Sequence, residues 1–174
     1  MKIANPWSGA MPARTLARAG MIAALYTVLT IITPFTLSFG PFQFRIAEAL
    51  TLLPMLTVDA VPGLFVGCLL ANLMGGGVWF DVVWGSIATL LGAIFTYRWR
   101  AKPLLAAFSP VLFNTLIVGL VVYFAYVKAP GAPVDASQLL FTMSTVGLGE
   151  LVVCYVAGLG LYYALKRLPD SVFR

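Results

Sequence analysis

Long apolar runs separated by short polar or helix-breaking segments divide the chain into six predicted helices. The breaks are Thr33-Pro34 with the polar stretch after it, Pro62-Gly63, the glycines at 75–77, the basic cluster at 98–102 and the loop at 128–137. Between these breaks the predicted helices cover 16–33, 44–56, 61–73, 80–97, 103–127 and 138–165. The pattern therefore predicts an all-α protein.

The lengths of these runs favour a membrane protein, because a membrane-spanning helix needs about 20 mostly apolar residues. Helices 2 and 3 are shorter, so we expect them to be short or irregular, or to form a re-entrant hairpin. We predict a six-transmembrane-helix bundle with a cytoplasmic lead at 1–13, one domain at 14–168 and a tail at 169–174. The basic start followed by an apolar run resembles a signal peptide, but an Ala-x-Ala-like cleavage site does not follow. We expect this run to stay as helix 1.

Composition supports the same conclusion. Of 174 residues, 61% are hydrophobic and 10% are charged, with a mean hydropathy of +0.96. The net charge of +5 comes from cations at the ends of apolar runs, which favours membrane orientation over nucleic-acid binding. Nine Lys or Arg residues fall on the side of the two termini and two, Arg45 and Lys128, on the other. The positive-inside rule therefore predicts cytoplasmic termini.

The reactive residue types argue against an enzyme or a metal protein. Histidine is absent from the sequence, and Cys68 and Cys154 both lie inside apolar runs, where we interpret them as packing residues. The sequence offers no nucleophile–base pair for a membrane-embedded enzyme. We expect no catalytic residues, no bound metal and no bound cofactor.

Polar residues within the helices are the main functional signal, because charged groups at membrane depth are unfavourable and usually serve a site. At 1.5 Å per residue, Glu150 lies roughly 24 Å from the inner interface. The same reasoning places all acidic side chains within or beside helices in the outer half, which predicts a pocket open outward. The candidate residues are Arg45, Glu48, Asn72, Asp81, Asn114 and Glu150. As alternatives, Arg45 and Glu48 form a structural ion pair, and the two asparagines join helices by hydrogen bonds.

The charge of this pocket predicts its ligand. Three carboxylates face one arginine, so the site should favour a cation or a molecule with several hydrogen-bond donors. Nearby rings could stack on a flat ligand, or could belong to the interfacial aromatic belt. These rings are Phe44, Trp79, Phe80 and Trp84.

Helix 1 carries small residues at helical spacing, a pattern that lets another helix approach closely. The stripe contains Ala13, Ala17, Gly20, Ala24 and Thr27, with Ala19 and Ala23 beside it. It faces either sibling helices or a partner protein.

Five segments resemble the QueT family of substrate-binding S-components of energy-coupling factor (ECF) transporters. They are SFGPFQFRIAEALTLLP at 38–54, PGLFVGCLLANL at 62–73, DVVWGSIATL at 81–90, PVLFN at 110–114 and VGLGEL at 146–151. The resemblance spans nearly the whole chain in register. It implies a six-helix S-component in the bacterial cell membrane that binds a micronutrient from outside.

The resemblance also implies partners. The S-component would associate with an ECF module, made of a transmembrane coupling protein and two ATPases, and would topple in the membrane during transport. ATP would be used by the partner subunits, in keeping with a glycine run at 75–77 that lacks the Lys and Ser/Thr of a phosphate-binding loop. Docking through helix 1 fits two registers, Ala19 with Ala23 or Gly20 with Ala24.

The ligand that the resemblance implies is a queuosine precursor, a 7-deazaguanine such as preQ1 or queuine. We expect Glu150 and either Glu48 or Asp81 to accept its hydrogen bonds, supported by Asn72 and Asn114. Alternatives are an S-component for cobalamin or another vitamin, and a small-solute carrier or channel that works alone.

Overall fold

The computed structural model describes residues 13–34, 44–169 and 172–173, and these residues form helices and connecting turns without a β-strand. Most of the predicted lead, the segment 35–43 before Arg45, and parts of the tail lie outside the described residues. The described part of the chain confirms the all-α prediction.

The described residues form six helices in the predicted order. The first three are α1 (Ala13–Ile32), α2 (Ile46–Met55) and α3 (Ala60–Met74). The others are α4 (79–98), α5 (Pro103–Val127) and α6 (Ala136–Leu165). Three of them, α1, α5 and α6, are long and apolar enough to cross a membrane.

Helix α2 has 3-10 rather than α geometry over its ten residues. A 3-10 helix rises about 2 Å per residue, so these residues extend roughly 20 Å instead of the 15 Å of an α-helix. Helix α3 has 15 residues. The prediction that helices 2 and 3 are short or irregular is confirmed.

The interface between α1 and α3 depends on glycine. A Cβ at Gly63 would lie 2.7 Å from the Ala19 carbonyl oxygen, and one at Gly67 would lie 2.9 Å from that of Ala23. Ala19 and Ala23 are buried in this contact, whereas Gly20 and Ala24 are exposed on α1. The small-residue stripe therefore divides between an internal face and an outer face.

Polarity is arranged as expected for a protein surrounded by lipid. Large apolar side chains such as Leu16, Met21 and Val156 are exposed, while hydroxyl side chains such as Thr96 and Ser109 are fully buried. Several of the buried hydroxyls donate to the carbonyl four residues earlier, which satisfies them within their own helix.

Asp59 is an acidic residue at the basic end of the bundle. It lies just before α3 and forms an ion pair with Arg18 at 3.4 Å, beside Tyr97 and Arg100 at the end of α4. Because α2 leads the chain back to the end of the bundle where α1 begins, the start of α3 lies at the basic end. The expectation that the inner half contains no acidic side chain is therefore wrong.

Asp135, in the loop before α6, caps the N-terminus of that helix. Asp135 accepts hydrogen bonds from the Ser137 hydroxyl at 2.6 Å and from the backbone N–H groups of Ser137 and Gln138. These bonds favour the carboxylate and lower the pKa of Asp135. This cap fixes where α6 begins.

Candidate functional site

Four of the predicted site residues meet in one buried cavity between the start of α2 and the middle parts of α5 and α6. Arg45, Glu48, Asn114 and Glu150 all line it, together with Val118 and Val146. Each of the four polar side chains is less than one-tenth exposed. The chain therefore brings together groups that are 105 residues apart, from Arg45 to Glu150.

The α5–α6 side of the cavity is joined by a hydrogen bond. Asn114 Nδ2 donates to Glu150 Oε1, and the thiol of Cys154 lies 3.9 Å from Glu150 Oε2. The amide thus orients the carboxylate from the facing helix. This contact matches the interhelical role that the sequence offered as an alternative for Asn114, and it also keeps Asn114 beside the cavity.

The α2 side carries Arg45 and Glu48, and two charges of opposite sign lie close together there. Arg45 has extended backbone just before α2, and its carbonyl accepts from the backbone N–H of Glu48 at 3.0 Å. The Arg45 guanidinium lies within electrostatic reach of Glu48 and Asp81, and Glu48 lies within reach of Glu150. The cavity therefore places the carboxyl groups of Glu48 and Glu150 beside one cation.

Glu48 has one oxygen engaged and one available. Its Oε1 accepts a hydrogen bond from the hydroxyl of Tyr26 on α1, and its Oε2 has no hydrogen-bond partner among the described residues. A buried carboxylate oxygen without a donor is unfavourable unless a ligand supplies one. Sequence reasoning did not identify Tyr26; its signal was that it is the single aromatic residue of α1.

Asn72 and Asp81 form a second polar cluster beside the cavity rather than in its lining. Tyr126 donates to Asp81 Oδ2 at 2.8 Å, and Asn72 Nδ2 donates to the Asp81 carbonyl at 3.0 Å. Both residues are fully buried, and Asn72 Oδ1 and Asp81 Oδ1 lack hydrogen-bond partners in the described part of the chain. The cluster fixes the start of α4 against the ends of α3 and α5.

Trp79 and Trp84, the two tryptophans predicted to belong to the site, lie outside the cavity lining. Trp79 is 63% exposed with its ring 4.3 Å from that of Phe80, and Trp84 is 46% exposed. Phe80 and Trp84 line an apolar surface groove of about 600 Å³ formed with α5. These exposed positions agree with an interfacial aromatic belt, which was the alternative role considered for these rings. A role in stacking on a ligand stays a prediction.

Several π-helical segments begin at or near the buried polar residues. Asp81 and Asn114 each begin a π-helical segment, Asp81–Gly85 and Asn114–Val118, and a third segment, Val153–Gly158, begins three residues after Glu150. Such segments occur often at functional sites, because the extra residue in the turn redirects the side chains around it.

The cavity itself is small. Its volume is about 10 Å³, which is close to the minimum for a single water molecule. A flat bicyclic ligand would therefore enter only if α2, α5 and α6 moved apart.

Known proteins similar to this chain are transporters. A family model described as QueT transporter matches residues 16–167, a range that contains all the predicted site residues. A queuosine precursor transporter QueT from Lactococcus lactis subsp. cremoris (strain MG1363) is 26% identical over 166 residues, covering 87% of this chain and 92% of that protein. No solved structure shows a significant match.

Proposed function

The chain belongs to the QueT transporter family, and from this premise we propose that it is the substrate-binding S-component of an ATP-driven ECF importer for queuosine precursors. The observation that carries the proposal is the buried cavity in which Glu48 and Glu150 face Arg45 and Asn114. The L. lactis relative is named for the transport of queuosine precursors, and the proposal extends that cargo to this chain.

The polar groups of the cavity complement a 7-deazaguanine. A carboxylate can accept from the N1–H and 2-amino edge of the base, and a guanidinium or amide can donate to its O6. The aminomethyl cation of preQ1 would pair with the second carboxylate. Glu48 Oε2, the acceptor without a donor among the described residues, is available for one of these bonds.

Binding would require the site to open, because its volume of about 10 Å³ is far smaller than the ligand. The π-helical segments in α5 and α6 border the cavity, and their wider turns give these helices a means of adjusting. A site that closes tightly around a buried ligand suits an S-component, which must hold a scarce nutrient until transport.

Docking on an ECF module would use the outer face of α1. Ala13, Ala17, Gly20 and Ala24 are all exposed, whereas Ala19 and Ala23 are buried against α3. Of the two registers that the sequence left open, the contacts therefore favour Gly20 with Ala24. The partner would be the transmembrane coupling protein, and the ATPases of the module would supply the energy.

The test is a binding titration of the purified chain, alone in detergent, with preQ1, queuine and cobalamin. Submicromolar binding of a deazaguanine is the expected result. Tight binding of cobalamin without a response to deazaguanines would overturn the ligand but keep the S-component class. Failure of all three to bind would overturn the proposed function as a whole.

A further inference from the structure

We propose that Tyr26 is a positioning residue of the substrate site, whose hydroxyl fixes Glu48 so that Oε2 is the oxygen offered to the ligand. This inference rests on the proposed function, because it assigns a role within the same cavity. Among the described residues, α1 contributes no side chain to the cavity lining, so Tyr26 would act through Glu48 and not by touching the ligand.

Tyr26 reaches Glu48 from outside the cavity. It lies in α1, is fully buried, and donates its phenolic hydrogen to Glu48 Oε1 in α2. A phenol is a suitable donor here because it is neutral at physiological pH and so adds no second positive charge beside Arg45.

The ring of Tyr26 is held firmly in place. A Cβ at Gly67 would lie 2.8 Å from Tyr26 Cβ, so the missing side chain of that glycine is what lets the tyrosine pack against α3. Thr30 donates to the Tyr26 carbonyl at 2.9 Å, and Thr27 donates to the Gly67 carbonyl at 3.1 Å. The hydroxyl therefore projects from a rigid part of the bundle.

The backbone of Glu48 is fixed as well. Its N–H donates to Arg45, and its carbonyl accepts from the Thr51 hydroxyl at 2.5 Å. With the backbone held and Oε1 engaged, the remaining freedom of the carboxylate is small. Oε2 is then a preorganised acceptor, and preorganisation increases affinity because less side-chain entropy is lost on binding.

This arrangement also predicts the ligand group that Glu48 recognises. A carboxylate with both oxygens free can accept two parallel hydrogen bonds from a guanidinium-like edge, whereas Glu48 already uses Oε1 for Tyr26, and its Oε2 has no donor among the described residues. Glu48 would therefore accept chiefly through Oε2, from an N–H or ammonium group of the ligand. Glu150, whose Oε1 is bound by Asn114, would share the remaining donors.

The first experiment is Tyr26→Phe, which removes the hydroxyl and keeps the ring. We expect preQ1 to bind about three- to tenfold more weakly, because Glu48 would no longer be oriented before binding and would lose side-chain entropy when the ligand binds. The matched control is Tyr123→Phe. Tyr123 is also buried, but its hydroxyl accepts from the Asp135 backbone at 2.8 Å, away from the cavity lining, and its loss should change affinity less than about twofold.

The second experiment separates positioning from a general structural role. If Tyr26 acts through Glu48, then adding Tyr26→Phe to Glu48→Gln should cause little further loss of preQ1 affinity. Independent, additive losses would overturn the inference, as would equal losses in Tyr26→Phe and Tyr123→Phe. Unfolding temperatures without ligand, measured for all variants, show whether an affinity loss only reflects a less stable fold.

The two proposals fail in different ways. If the unaltered protein binds neither preQ1 nor queuine, the proposed ligand class fails. If it binds, and Glu48→Gln weakens binding while Tyr26→Phe does not, the proposed function stands and the positioning role of Tyr26 is wrong.

Discussion

Glu48, Asp81 and Glu150 place acidic groups inside a bundle whose core is built mostly from alanine, valine, leucine and hydroxyl side chains. Burial of a carboxylate is unfavourable unless nearby groups compensate. Around these three, the described compensation comes from Tyr26, Asn114, Tyr126 and the charge of Arg45. Buried oxygens that lack donors among the described residues are consistent with a site that is completed by a ligand.

Glu150→Gln should weaken preQ1 binding at least tenfold, because it removes the negative charge and one acceptor while keeping the side-chain shape. The measurement is the same detergent titration. Asp59→Asn is the matched control, since it makes the same chemical change at the opposite end of the bundle. An unchanged affinity in Glu150→Gln would remove this residue from the site.

Candidate site residues could be predicted from the sequence where a polar side chain interrupts an apolar helix. Arg45, Glu48, Asn114 and Glu150 were identifiable because polar groups in apolar helices are unusual. Tyr26 was not identifiable, because a tyrosine is common in membrane helices and its importance depends on facing Glu48. The position of Asp59 was predicted wrongly, because α2 extends far enough in 3-10 geometry to bring the start of α3 to the basic end of the bundle.

At the level of elements, helix boundaries followed the apolar runs to within a few residues, whereas helix geometry did not follow from them. The 3-10 form of α2 and the π-helical segments of α4, α5 and α6 became evident only in the structure. Periodicity distinguishes a helix from a strand but is too coarse to resolve a change of one residue per turn.

Gly67→Ala should destabilise the bundle by about 1–3 kcal/mol, because the added Cβ would meet the α1 backbone and Tyr26 at less than 3 Å. Gly20→Ala is the control from the facing helix. A Cβ there has no neighbour within 4 Å, so this change should leave the unfolding temperature unchanged or slightly higher. Equal unfolding temperatures for the two variants would contradict the α1–α3 packing.

At the scale of the whole molecule, the charge distribution predicts orientation. Introduced cysteines can report it, since Cys68 and Cys154 are both buried and should react little. In intact cells, an impermeant thiol reagent should label Ala129→Cys in the loop before α6 and leave Ala101→Cys after α4 unlabelled. Labelling of Ala101→Cys in place of Ala129→Cys would show the opposite orientation.

Docking on a partner protein would also involve the molecule as a whole, through the exposed face of α1. Gly20→Leu and Ala24→Leu should abolish copurification with an ECF module while preserving preQ1 binding, because both positions lie on the exposed face of α1. Ala157→Leu, a similar enlargement at an exposed position on α6, is the control and should copurify normally. Normal copurification of both α1 variants would place the docking surface elsewhere.

The sequence alone determined the all-α fold, the six helices and the short second and third helices, because apolar run length and helix breakers act locally. It also indicated which polar residues to propose for a site, since the cost of a polar group in an apolar environment does not depend on the exact fold. The tertiary structure decided which of these residues share a cavity, that Tyr26 holds Glu48, and which face of α1 is internal. These features depend on the rotation and approach of helices far apart in the chain, which side-chain packing and glycine contacts set and no local pattern encodes.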